Sequence, residues 1–546
     1  MAIALPAVIA LLFVRAYAVN VPYWDEWESV PDILAASSGR LTVADLWRQH
    51  NEHRIFFPRV VMLGLYSVGR MDSRLVMYAS CGILLIMVSL VLADHLRCAG
   101  DRASAWLSFI PAAWILVSLR QWENLLWAWQ IEIFMCAAAL VFTLYALSRA
   151  DRPGWFTMAI FGGVVCCYSF SGGILAWPTG LFQLLISNPR SGRRHLLWIW
   201  CCAGIATVAA YFVGYRRPEH HPSPFTFLRH PIQAAAYLLA SFGSPMATDL
   251  GGAIAAGLLL FAGAAVAAAW LRKRGLLPQP SMAMSLIVFS AGVSAMTMIG
   301  RVGFGPAQAL ASRYTTMTSL GVAGFYLLLV QNLHLDARAP WMLAGFLGMA
   351  AIGQTSVSVA AIEEAKAAHQ SRRDLASALR RYRSEPDAML AGLYPDPAVV
   401  RARAAILEQH QLSVFAGRGA TLGLLPGSTP FSVDAINGMP PQATPSIAVG
   451  TPLRVSGWAV DDRAGAPAEA VIVFIDDGPG TAARYGLDRP DVARVLGNPA
   501  YRNSGFTAEA PTSSLAPGRH SLGLRVFSST GTGMYEPPVR FFFELQ

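Results

Sequence analysis

The chain has 546 residues, 54% of them hydrophobic and only 14% charged, with a formal net charge of +9. A soluble domain carries roughly a quarter charged residues, so this composition excludes a protein that is soluble throughout. Much of the excess arginine sits in short loops between apolar runs, which fits membrane topology and anionic lipid, and no basic, aromatic-interleaved groove points to nucleic acid.

The first apolar run, near 3–20, has no clear small-residue cleavage site and reads as a retained span. Directly behind it comes "VPYWDEWESV", residues 21–30, with Asp25 and Glu26 between Trp24 and Trp27. An aromatic belt accounts for the rings, but acids beside a span carry a cost unless they have a role. A carboxylate at this depth can take a proton from a hydroxyl nucleophile, and Asp25 is the first candidate, Glu26 the second. Next is "QHNEHRIFFPR", residues 49–59. In a helix, His50, His53 and Arg54 would share a face and Glu52 would point elsewhere. These residues are candidate substrate contacts, with Trp24 beside them. HxxH alone is too little for a metal site.

Further apolar runs lie near 73–96, 104–119, 126–148, 155–170, 172–187, 194–214, 250–271, 281–300, 315–332 and 341–360. With the first they make about eleven spans. Alternate loops carry Arg97 and Arg102; Arg149 and Arg152; Arg190, Arg193 and Arg194; Arg272, Lys273 and Arg274; and Arg338. The positive-inside rule makes these loops cytoplasmic. It holds only if 231–247 is a re-entrant or interfacial helix. The N-terminus is then inside and the C-terminal tail outside. The polar loops 21–72, 120–127, 168–173, 214–225 and 301–314 all fall on the outer face.

Three of these outer features carry chemistry. Glu123 lies in "RQWENLLW" and is a further candidate for substrate contact. Gln130 and Glu132 lie just inside a span, where an acid is a functional candidate by default. Arg313 and Tyr314, in "SRY", open a span from outside, where an arginine either snorkels or grips a lipid phosphate with its planar fork. Arg54 and Arg301 are the further candidates for that phosphate. The pair His220–His221 sits in a Pro-rich loop and points to nothing specific. The seven cysteines all lie in or beside spans, without metal-finger spacing, and read as small apolar fillers.

After residue 360 the composition turns water-soluble. Residues 361–383 have helix-forming composition with several basic residues and either continue the last span or lie along the membrane surface, and a second helical stretch covers about 397–411. Pro and Gly then become frequent, and from about 431 the pattern changes to short strands separated by turns, which predicts a β-sandwich. The expected organisation is a transmembrane domain at 1–360, a helical juxtamembrane linker at 361–430 and an outer β-sandwich at 431–546.

The pattern resembles the GT-C superfamily, polytopic glycosyltransferases that use polyprenyl-phosphate-linked sugars. It resembles in particular a group of bacterial membrane proteins with "YWDEW" and "HNEHR" in the first outer loop. The superfamily resemblance covers about 1–360 and rests on a first span, a long outer loop opening with an acidic pair, many further spans and a soluble tail. It implies a GT-C-like helical membrane fold, a catalytic base at Asp25 and a polyprenyl-phosphate sugar donor. It also implies a glycan or glycolipid acceptor and inversion at the anomeric carbon. A second acidic motif found in several members has no clear equivalent here; Glu123 and Glu219 are the available acids. No metal ligand set is assigned, and a divalent cation is the one cofactor left open.

Two other readings compete. A lipid-linked glycan polymerase or ligase would depend more on Arg313 and Arg54 than on Asp25. A transporter or flippase would show paired charges at mid-membrane and inverted repeats, neither of which stands out.

Overall fold

The computed structural model describes residues 2–98, 101–186, 194–218, 222–273, 282–332, 339–416, 424–476, 478, 480–513, 515–530 and 533–546. Arg190, Arg193, Glu219, His220, His221, Arg274 and Arg338 lie outside the described residues. The chain divides into two compact units, Met1–Ala416 and Gly417–Gln546.

The first unit is helical. Among the described residues, five helical segments are long and apolar enough to cross a membrane: Ser73–Cys98, Arg102–Leu126, Ala128–Leu147, His195–Phe212 and Met282–Phe304. Shorter apolar helices cover Leu5–Tyr17, Phe56–Gly69, Gly154–Cys167 and Ser171–Ile186. Five rather than eleven segments therefore meet that requirement. Part of the difference is length: the 13 residues of Leu5–Tyr17 rise only about 20 Å, against an apolar layer of about 30 Å. The helix Pro231–Gly243 is equally short. It lies against Leu250–Lys273 through two glycines. A Cβ on Gly243 would stand 1.9 Å from the Ala253 carbonyl oxygen, and one on Gly257 2.0 Å from that of Leu239. Small residues at such a crossing let two helix backbones touch.

Residues 361–416 do not form a linker. They begin inside a continuous helix, Ala339–Arg380, and continue through Asp387–Leu390 and Pro397–Gln409. Ala365, Leu379, Leu393, Val400, Leu407 and Phe415 are buried in the same core as Trp27 and Val76. This segment grips the chain that follows the first helix. The Leu393 carbonyl accepts from the Trp24 amide at 2.8 Å. Arg403 donates to Glu28 at 2.8 Å and to the Trp27 carbonyl at 2.9 Å, and the Tyr394 hydroxyl donates to Glu28 at 3.2 Å. Burial raises the Glu28 carboxyl, but Arg403 outweighs it and holds the group below its ordinary range. Helix-forming composition does not say what such helices pack on, which is why the sequence suggests a linker.

The second unit is β-rich. Its strands are β1 Phe431–Ile436, β2 Ser446–Ile447, β3 Leu453–Asp461, β4 Ala466–Pro467, β5 Ala470–Ile475, β6 Thr481–Ala482, β7 Arg484–Leu487, β8 Gly505–Ala510, β9 Gly518–Phe527, β10 Met534–Tyr535 and β11 Phe541–Leu545. One sheet runs β1-β3-β8-β7 with β4 on β3; the other runs β2-β11-β9-β5-β6 with β10 on β9. Val455, Phe506 and Ala508 of the first sheet share a core with Val471, Leu524 and Phe543 of the second. The alternating burial of β3 and β8 is the period-two pattern of strands covered on one face.

Candidate functional site

Backbone geometry aims the first loop. Behind helix Leu5–Tyr17 the chain makes a 3-10 turn at Trp24–Glu28. Trp24 opens it with φ +47°, a left-handed conformation that a bulky side chain rarely adopts. Its amide is held by Leu393 on one side, and the Trp127 indole donates to the neighbouring Tyr23 carbonyl at 3.0 Å on the other. The turn sends adjacent acids in different directions. Asp25 faces a cavity of about 550 Å³. Glu26 points into the protein and is fully buried.

Glu26 therefore does not reach the cavity. Tyr66 donates to its carboxylate at 2.8 Å, and Ser73 donates to the same oxygen. Burial pushes this carboxyl up to about 7, against the opposing pull of Ser73, Tyr66 and nearby Arg372. The native protein thus keeps a proton that the unfolded chain releases at about 4.5, and stability falls as pH rises between those values. The window corresponds to about 3 kcal/mol. Glu26→Gln is expected to remove this part of the pH dependence, so that thermal unfolding at pH 5 and pH 8 differs less than in the wild type.

The segment 50–53 is not helical. His50 and His53 exchange backbone hydrogen bonds of 2.9 and 2.7 Å across a tight turn, with Asn51 at φ +48°. The turn places His50, Glu52 and His53 on the cavity wall together. His50 Nε2 stands 3.6 Å from Asp25 Oδ1. His53 is buried and stacks on Phe170 with ring centroids 4.5 Å apart. Burial lowers its imidazole to about 4 despite Glu52 alongside, so it is neutral at pH 7. Its Nδ1 accepts from the Ser171 amide at 3.1 Å, which leaves the proton on Nε2, facing Glu52 Oε1 at 3.6 Å. Glu52 is bound by Arg301 at 2.6 Å.

Arg54, the next residue, turns inward. Its guanidinium donates to the carbonyls of Tyr211, at 2.5 Å, of Trp47, at 2.9 Å, and of Val213. It is buried and outside the cavity lining, so it stitches loop to helix end rather than holding phosphate. Arg54→Ala is expected to cost about 3 kcal/mol or more, because three carbonyls lose a charged donor. The check is a lowered thermal midpoint in detergent, with Arg54→Lys intermediate.

Arg313 and Tyr314 line the same cavity as Asp25, though they come from the far end of the unit. They form a short 3-10 turn ahead of helix Thr315–Asn332. Glu123 lies behind Arg313, accepting its amide at 3.1 Å and meeting its guanidinium at 3.5 Å. Burial alone would lower the Arg313 guanidinium, but Tyr314, Glu123 and Asp25 more than restore it, and it stays charged. Glu123 is not on the lining, so it contacts Arg313 and not the cavity.

Gln130, Glu132 and Arg301 complete the polar wall, with Trp24, Trp127 and Phe170 as aromatic faces. Trp24 is 42% exposed. Arg301, an alternative candidate for the phosphate, also lies on this lining. Among the described residues, no group of three or more His, Cys, Asp and Glu side chains is placed to hold a metal ion.

No family model matches the chain, and no curated protein does. Among solved structures, the chain is similar to a crystal structure of ArnT from Cupriavidus metallidurans bound to undecaprenyl phosphate. The identity is 12% over 93% of this chain and 97% of that one, with a TM-score of 0.41. Likeness at that level assigns neither a family nor a residue role.

Proposed function

We propose that the protein is a GT-C-type membrane glycosyltransferase. It moves a sugar from a polyprenyl-phosphate donor to a cell-envelope glycan or glycolipid at the outer face of a bacterial inner membrane. The observation that carries this reading is one cavity among apolar helices where a carboxylate, Asp25, and a cation, Arg313, share the wall. Asp25 takes the proton of an acceptor hydroxyl. That oxygen attacks the anomeric carbon from the face opposite the leaving group, so the configuration inverts. The bond from the anomeric carbon to the phosphate oxygen breaks, and its electron pair leaves with polyprenyl phosphate. A phosphate leaving group needs little protonation but does need positive charge, which Arg313 supplies. His50 beside Asp25 orients the base. Release of polyprenyl phosphate from a labelled donor by the purified protein tests the reading. No release by the wild type with any donor and acceptor-lipid extract would refute it.

In this reading the membrane domain has about eleven spans. The N-terminus is cytoplasmic and the β-rich unit lies outside the membrane on the outer, periplasmic side. Topology reporters fused after residues 186, 273 and 430 are expected to give inside, inside and outside signals. An outside signal at 273 would mean that Pro231–Gly243 crosses fully.

A further inference from the structure

We infer that Gln130 and Glu132 form the sugar-reading wall of the cavity, a subsite that accepts hydrogen bonds from the hydroxyls of the donor's sugar ring. This rests on the proposed function and narrows it to a pair of residues that the transfer chemistry does not use.

The pair stands where the chain enters its most buried helix. A 3-10 turn, Ala128–Gln130, leads into helix Ile131–Leu147, with Glu132 in the first helical turn. Both side chains line the cavity, and both residues are only 4% exposed. Gln130 Oε1 and Glu132 Oε2 are buried without a hydrogen-bond partner among the described residues. A buried polar atom left without a partner costs about 1–3 kcal/mol, more if charged. Two such atoms two residues apart, on the wall of an open cavity, are a cost that a ligand can recover.

The surroundings decide which ligand. The other acids of the cavity have company: Asp25 has His50 at 3.6 Å and Glu52 has Arg301 at 2.6 Å. Among the described residues Glu132 has no cation within salt-bridge distance, so its vacant acceptor capacity suits neutral O–H donors. A phosphate needs a cation, which Arg313 on the same lining provides. Trp24, Trp127 and Phe170 bound the same cavity and offer flat apolar faces to the C–H face of a ring. Acceptors on one side and ring-sized aromatic faces on another fit a pyranose or furanose. The position is also fixed relative to Asp25, because the Trp127 indole holds the Tyr23 carbonyl, two residues before Asp25 and three before Gln130.

The test compares binding of polyprenyl phosphate alone with polyprenyl-phosphoryl glucose, mannose, galactose and xylose, using the full-length protein in lipid nanodiscs. The wild type is expected to bind one of the sugar-bearing lipids about 10- to 100-fold more tightly than polyprenyl phosphate. Glu132→Ala should bring that ratio to within about twofold of unity, and Gln130→Leu should reduce it, with affinity for polyprenyl phosphate itself unchanged. Monodeoxy versions of the preferred sugar separate contact from scaffolding. The wild type should lose affinity on removal of one particular hydroxyl, and Glu132→Ala should be indifferent to it, while Glu132→Gln, which keeps an acceptor oxygen, retains part of the discrimination. A wild type that binds no sugar-bearing lipid more tightly than polyprenyl phosphate overturns the inference. So does a Glu132→Ala variant that keeps the deoxy penalty. If polyprenyl phosphate fails to bind the wild type at all, the proposed function falls with it; if that lipid binds and only the sugar increment is missing, the inference alone falls.

Discussion

Asp25→Asn is expected to reduce sugar transfer by about 10²- to 10⁴-fold while the protein stays folded. The substitution keeps the shape and removes only the capacity to accept a proton. Its structural cost is small, because Asp25 lies on an open cavity wall and its neighbour His50 stands at 3.6 Å, longer than a hydrogen bond. The backbone that aims it is held by others: Leu393 on Trp24, Trp127 on Tyr23 and Arg403 on Trp27. The lost rate should appear in kcat, with donor affinity within about threefold of the wild type, since the base acts on the acceptor and not on the phosphate. Glu26→Gln is the internal control. It changes the adjacent acid by the same chemistry, yet its side chain is bonded to Tyr66 and Ser73 away from the cavity. Turnover near the wild-type level for Asp25→Asn, or equal losses for the two variants, would remove Asp25 as the base.

The helices gripping this loop widen the prediction. Arg403→Ala leaves Glu28 without its cation and loosens the turn that carries Asp25. It should lower kcat with no change in donor binding, and Arg403→Lys should rescue part of it.

How much of this was legible in the sequence depends on what kind of information each residue carries. Composition and apolar run length make the first part a helical membrane protein, and the switch to short alternating strands marks a β-rich end, because both follow from solvent exposure alone. The cavity gathers Asp25, His50, Arg313 and Tyr314 from distant loops. The arginine pattern had put all these loops on one membrane face, so their meeting needs no pairwise signal. Direction was not legible. Asp25 and Glu26 are adjacent and similar, yet a left-handed residue at Trp24 sends one to the cavity and buries the other. His53 and Arg54 part in the same way at the end of a closed turn, which the HxxHR spacing had suggested as a helix. Turns of this sort depend on backbone bonds to far-off carbonyls such as Leu393, and no local pattern encodes those. The helices of 361–416 are legible in composition, but their packing partner is not, because that surface belongs to the first loop. Part of the gap between eleven expected spans and five long, apolar helices reflects short helices such as Leu5–Tyr17, whose run length in sequence includes flanking turns.

Arg313 should be the most sensitive position for the donor lipid. Three arginines line the cavity; Arg217 donates to the Pro222 carbonyl of its own loop, and the partners of Arg301 and Arg313 separate those two as candidates for the phosphate. Arg301 is engaged with Glu52 at 2.6 Å, a short charge-assisted bond that a phosphate would have to displace. Arg313 meets Glu123 at only 3.5 Å, and Glu123 is bound more closely by the Arg313 amide, at 3.1 Å. Its fork is therefore the freer of the two, and it stays charged because Tyr314, Glu123 and Asp25 outweigh its burial. Loss of one preorganised donor to a developing anion typically costs about 10²- to 10³-fold in rate. Arg313→Ala is expected to show a loss of that order in kcat/KM, together with weaker binding of polyprenyl phosphate. Arg313→Lys keeps the charge without the planar fork and should fall between Ala and wild type. Arg301→Ala should leave polyprenyl phosphate binding within about threefold, because its charge is already spent on Glu52. Direct titration of polyprenyl phosphate against the three variants decides the matter. If Arg301→Ala loses the lipid and Arg313→Ala keeps it, the phosphate belongs on the Glu52 side of the cavity, and Arg313 serves only to hold Glu123 against the start of helix Thr315–Asn332.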